Sequence, residues 1–88
     1  MNYKKIFNKA EQIVAERQES YGDAREMHQS IADRWNGVLK EKLTQGVSLS
    51  AYDVARMMAE LKAARMDDNG FHEDSLIDQI NYLVIAYR

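Results

Sequence analysis

In one apolar-periodic stretch, Val54, Met58, Leu61 and Arg65 follow i, i+4, i+7 and i+11. A cation thus extends an apolar stripe, and Lys62 stands four residues after Met58. A charge continuing a core-facing stripe needs a partner or a wet cleft. One reading is snorkelling, with the stem on apolar surface and the head in water. The other is a pair of cations at the lip of a pocket suited to phosphate, where Arg supplies a planar fork and Lys a point charge. Asp74, Asp78 and either Asn81 or Tyr82 share a face of the next stretch. Carboxylates four apart on a helix repel unless a cation or metal lies between them. Arg65, Lys62 or Mg²⁺ fits that need, Mg²⁺ because it takes one or two carboxylates plus phosphates. Alternatively, Asp74 precedes the helix, Asp78 lies in its first turn, and both simply favour the positive end of the dipole.

A third candidate is "RQESYGDARE", residues 17–26, with Arg17, Tyr21 and Asp23 around a corner. Gly22 suits a left-handed helix end and Asp23 the cap of the next helix, with Glu26 completing a capping-box pattern. The corner can also set Arg17 and Tyr21 at a pocket. His28 and His72 are 44 residues apart and lack metal-ligand spacing. His28 reads as an ordinary surface or boundary residue, and His72 as a solvated loop residue. There is no Gly-rich phosphate loop and no Ser or Cys nucleophile motif, so no catalytic residue is assigned.

These residues must be positioned by helices. Apolar residues recur at three and four, there is no proline, and Val, Ile and Thr never alternate in period 2. Four helices are predicted: about Tyr3 to Gln18, Ala24 to Leu43, Ala51 to Met66, and Leu76 to Tyr87. Ser50 with Asp53, and Ser75 with Asp78, repeat the capping pattern, which is the plain explanation for Asp53 and Asp78. Three short links imply mainly antiparallel neighbours, so the expected architecture is one all-α domain over residues 1–88, a small four-helix antiparallel bundle. Met residues read as core filler and Trp35 as a core anchor.

The chain has 88 residues and a net charge of −2. A domain of this size buries only about 60–65% of its unfolded surface. The fourth helix, with Tyr82 to Ala86 apolar throughout, needs more cover than so short a chain offers. A homodimer or higher homo-oligomer is therefore expected to complete the bundle. The charge balance argues against direct DNA binding. The longest apolar run, Leu83 to Ala86, is far short of a membrane span. The absence of cysteine excludes thiolate metal sites. With no apolar signal region near the N-terminus, the expected location is the cytoplasm of the host.

"RQESYGD", "DVARMMAELKAAR" and "HEDSLIDQINYLVIA" occur in this order. Together they resemble a family of small proteins of unassigned function encoded by bacteriophages and prophages. The final segment and the "YGD" corner are also similar to a domain associated with phage nucleotide modification. More distantly, the four-helix plan resembles the MazG-like nucleoside triphosphate pyrophosphohydrolases. That resemblance implies a dimer, Mg²⁺ held by carboxylates from two helices, and water attack on a nucleotide phosphate. Asp53 and Glu60 would then face Asp74 and Asp78, with Lys62 and Arg65 on the phosphates. The chain departs from the MazG-like E-E-x-x-E cluster. Its Asp53 and Glu60 are seven residues apart, about 10 Å along a helix, too far to share one metal. The expected function is binding of a nucleotide or other phosphate-bearing ligand through Arg17, Tyr21, Asp23, Lys62, Arg65 and Tyr82, with Asp74 and Asp78 for a metal. The alternative is an interaction protein that docks on a host enzyme or defence protein through its fourth helix.

Overall fold

The computed structural model describes residues 2–87, apart from the side chain of Tyr21. It contains four helices: α1 (Tyr3–Tyr21), α2 (Ala24–Leu39), α3 (Ala51–Asn69) and α4 (Glu73–Ala86). Their ends are set by local hydrogen bonding. Asn2 caps α1 by accepting from the Lys5 N–H. Gly22 ends it at φ +81°, where its N–H donates to the Gln18 carbonyl at 2.9 Å. Asp23 at once caps α2, accepting from the Arg25 N–H at 2.8 Å. The link between α1 and α2 is therefore only two residues long; Gly22 and Asp23 take the roles the sequence predicts, while α1 runs on to Tyr21 instead of ending at Gln18. Ser50 and Asp53 form the predicted reciprocal capping box at the start of α3.

Four boundaries differ from expectation by three or more residues: α1 and α3 each run three residues farther, to Tyr21 and Asn69, and the end of α2 and the start of α4 also move. α2 stops at Leu39 rather than Leu43. There the Lys42 and Leu43 N–H groups both turn back onto the Leu39 carbonyl, at 2.7 and 3.0 Å. α4 begins at Glu73, with His72 as an N-cap that makes no side-chain cap bond. Ser75 is therefore inside the first turn and not the cap expected for it. It is buried, with its hydroxyl 3.3 Å from His72 Nδ1. This correction frees Asp78 from a capping role.

The main contacts are α3 with α4, α2 with α3, and α1 with α4. α3 is thus flanked on two sides, and its buried Val54, Ala55 and Ala59 are small enough to allow close approach. The expected antiparallel order holds for α3 and α4, where Tyr52 meets Tyr87 and Lys62 meets Asp78. α1 departs from it, because its contacts ascend α4 in the same direction. Lys9 meets Glu73, and Ile6 and Ala10 pack on Ile77. Farther along, Arg17 and Gln18 lie beside the stretch from Asp78 to Ile85. With α1 and α2 displaced lengthwise, the molecule reaches 46 Å, well beyond the roughly 28 Å of a 19-residue helix. Its radius of gyration is 14.6 Å, against about 12 Å for a compact chain of this length.

The inward faces are rotated from those predicted. On α2 the buried residues are His28 and Ala32, while Met27 and Val38 face outward. On α3, Met57 and Leu61 are exposed. Arg65, which follows Leu61 by one turn, is exposed too, and Lys62 is the cation on the inward side. Trp35 is half-buried rather than a deep anchor.

The long α2–α3 link is fastened by Asn36, whose amide nitrogen donates to the Leu49 carbonyl at 2.9 Å. Its amide oxygen accepts from the Leu49 N–H at 2.7 Å. Asn36→Ala removes both bonds and leaves part-buried backbone groups unpaired, a cost of about 1–3 kcal/mol. The expected result in urea denaturation is a lower midpoint with an unchanged slope.

Candidate functional site

A pocket of about 350 Å³ opens where the end of α1, the start of α2 and the second half of α4 converge. This is within the usual size range of small-molecule sites. Val14, Arg17 and Gln18 line it from α1, and Gly22 and Asp23 from the corner. α2 contributes Ala24, Arg25, Met27 and His28, and α4 contributes Asp78, Asn81, Tyr82 and Ile85. The corner makes this opening. α1 and α2 are not among the helix pairs in main contact, so they diverge from the corner, and α4 closes one side of the wedge.

Asp78 is the electrostatic centre. Its Oδ1 is 3.4 Å from Arg17 Nη2 and its Oδ2 is 3.1 Å from Lys62 Nζ. One carboxylate thus joins α1, α3 and α4. The Lys62 and Asp78 side chains are only 14% and 13% exposed, while Arg17 is about half exposed. Lys62 lies outside the pocket lining and stands behind Asp78; Arg17 stands on the pocket side. A guanidinium has five donors, so one contact with Asp78 orients it and leaves much of its fork for another anion.

Another part of the lining is aromatic and amide. The rings of His28 and Tyr82 are 5.7 Å apart and tilted by 40°. His28 is 5% exposed, and its Nδ1 is buried without a hydrogen-bond partner. Burial holds the imidazole below its ordinary pKa by disfavouring the charged form. Asn81 is buried as well, and its amide nitrogen donates to the Ala10 carbonyl at 3.2 Å. That bond fixes the amide and leaves its oxygen as an acceptor.

Of the residues singled out in the sequence, Arg17, Asp23, Asp78 and Tyr82 meet in this pocket. Lys62 joins them through Asp78. Arg65 and Asp74 are exposed and do not line it. The side chain of Tyr21 lies outside the described residues. Asp53 is engaged in the α3 cap and Glu60 is exposed. Among the described residues, no group of three or more His, Asp or Glu side chains is arranged to hold a metal. Both Asp78 oxygens are already engaged by cations. Sequence reasoning missed His28, expected at the surface or boundary and found buried. The signal available for it was its spacing from Ala32, Trp35 and Leu39, which places all four on one helical stripe. Arg25 was missed as well. It follows its cap by two residues and so comes to the pocket with the start of α2.

The burial of His28 gives stability a pH dependence. The folded protein keeps the imidazole neutral, whereas the unfolded chain protonates it near the ordinary value of about 6.5. The unfolded state therefore binds more protons below that value, and stability falls as pH drops from about 7 toward 5. The Glu73 carboxyl, held below its usual range by the hydrogen bond and charge of Lys9, acts in the lower carboxylate range. Thermal melts across this pH series should show the loss, and His28→Gln should flatten it. Parallel profiles for the two proteins would refute the assignment.

The chain is 42% identical over 78 residues to the Gene 55 protein of Mycobacterium phage L5, covering 88% of this chain and 47% of the relative. It is 33% identical over 78 residues to the Gene 55 protein of Mycobacterium phage D29, covering 88% and 48%. The chain spans about half the length of these curated relatives. No solved structure matches. Both relatives are phage proteins, in keeping with the phage-encoded family that the three sequence motifs resemble. The family described as a domain of unknown function, DUF6378, matches residues 5–88, and the chain belongs to it.

Proposed function

We propose that this domain binds a nucleotide or other small phosphate-bearing molecule in the pocket between α1, α2 and α4. The observation that carries this reading is the Arg17–Asp78–Lys62 relay. A half-exposed guanidinium is oriented on a pocket wall by a nearly buried carboxylate, which a nearly buried ammonium supports from behind. Planar recognition of phosphate is the chemistry that arginine suits best. Arg25 and the start of α2 line the same space and favour an anion there. The donor set of one chain does not fit the Mg²⁺ centre of a pyrophosphohydrolase, because Asp78 is engaged by two cations and Asp74 is exposed outside the pocket. The proposal is therefore recognition of the anion by Arg17, with no hydrolytic step.

Thermal-shift measurements against phosphate-bearing metabolites test it. A ligand at about 100 times its dissociation constant adds roughly 2.7 kcal/mol, which raises the melting temperature of so small a domain by several degrees. Arg17→Ala should lower the affinity at least about tenfold, the loss of a charged hydrogen bond of about 1.5–3 kcal/mol. Lys62→Ala should mainly lower stability, by leaving Asp78 with a single partner. A flat response to every phosphate compound overturns the reading.

A second reading rests on a different surface. Leu83, Val84 and Tyr87 on and just after α4 are exposed, as are Tyr3 and Phe7 on α1. Together with the large radius of gyration, they support cover by a second copy or by a host protein. Sedimentation of the purified chain should report a dimer, and Val84→Lys should shift it toward monomer. A concentration-independent monomer leaves only the host-protein form of this reading.

A further inference from the structure

We infer that His28 reads the ligand, and that the molecule taken by this pocket is a phosphorylated planar heterocycle whose ring lies against Tyr82 with its polar edge on His28. This rests on the anion reading for Arg17 and narrows it. Arg17 explains why an anion would enter, but it does not account for the rest of the lining. There His28 and Tyr82 make a paired aromatic surface, and both line the pocket. His28 has a buried Nδ1 that no protein group satisfies. Buried polar atoms without partners are uncommon, because nothing replaces the water they have lost. His28 lines the pocket although this nitrogen is itself covered, so a ligand atom completes the missing bond once the imidazole turns toward the opening.

The neighbouring groups narrow the chemistry. Tyr82 is half-buried, with His28 beside its ring. An aromatic wall of this kind favours a flat π-system over a sugar or an alkyl chain. Asn81 is locked by its bond to the Ala10 carbonyl and keeps one acceptor oxygen. His28 and Asn81 together call for a ring with hydrogen-bonding atoms on its edge. Arg17 calls for an anionic group on the same molecule. A phosphate alone meets the second demand and leaves His28 unsatisfied, and a sugar phosphate brings hydroxyls but no flat face for Tyr82.

The test is isothermal titration with nucleoside 5′-monophosphates, ribose 5-phosphate and inorganic phosphate. At least one monophosphate should bind tenfold or more tighter than ribose 5-phosphate. His28→Leu should erase that ratio while leaving the affinity for ribose 5-phosphate unchanged. His28→Asn, which returns a polar atom near the position of Nδ1, should recover part of it. Nitrogen-15 NMR of the wild-type imidazole provides a check that needs no variant. The Nδ1 resonance should move with the tight monophosphate and stay in place with ribose 5-phosphate. Equal binding of all phosphate compounds with a stationary Nδ1 signal overturns the role of His28 and leaves the anion reading intact. No binding of any phosphate compound overturns both.

Discussion

The carboxylate of Asp78 is the constraint on which the rest depends. It is the only acid among the described residues that bridges two cations from different helices, Arg17 from α1 and Lys62 from α3. Neither Lys62 nor Asp78 has enough water around it to stand alone. Removing one member of such a nearly buried pair leaves the other uncompensated, a loss on the order of 3–5 kcal/mol where burial is complete. Lys62 thereby fixes Asp78, and Asp78 fixes Arg17. The orientation of α1 at this end of the molecule is therefore tied to a charge on α3 that it does not touch.

That tie matters because α1 has so little else. Ile6 and Ala10 pack on Ile77, with Ile13, Leu76 and Ile80 around them, and Lys9 bridges to Glu73. All of these contacts lie in the first two thirds of the helix. Beyond Val14, α1 projects past the apolar cluster and reaches the corner at Gly22. α2 leaves this end at the Gly22–Asp23 corner without covering it, and the uncovered angle becomes the pocket. The same geometry leaves Tyr3 and Phe7 exposed, since α1 has one main neighbour instead of two.

The sequence carries the local part of this structure clearly. The Gly22–Asp23 corner, the Ser50–Asp53 box and the four helical stretches follow from capping chemistry and periodicity. These are rules about residues within a turn of one another. What failed was rotation about the helix axes. Met27, Val38, Met57 and Leu61 look like core by type, but the interior is built from Ala32, Ala55 and Ala59. Small residues win there because α3 has close neighbours on both sides, a tertiary fact that periodicity cannot register. The error reached the site in two places. It assigned the inward cation to Arg65 as well as Lys62, and it left His28 near the surface. Asp78 was correctly noted as needing a cation, yet its cap reading fell only when α4 was found to start at Glu73.

The distribution of unfavourable polar groups argues for a site more strongly than any one residue does. A chain this short has little stability to spare. Much of its interior is apolar and plain: Ile6, Ala10 and Ile77 in one cluster, and Val54, Ala55, Ala59 and Ala32 elsewhere. Among the described residues, the other buried side-chain atom without a partner, Arg56 Nε, belongs to a guanidinium that already donates to Tyr52 and Tyr87. His28 has no such compensation. Its unsatisfied nitrogen, the nearly buried Asp78 and the buried amide of Asn81 all border one pocket. Ion pairs and polar groups at such depth can often be replaced by well-packed apolar residues without loss of stability. Folding alone gives no reason to gather three of them around an opening, and the binding proposed for a charged, flat molecule would use all three.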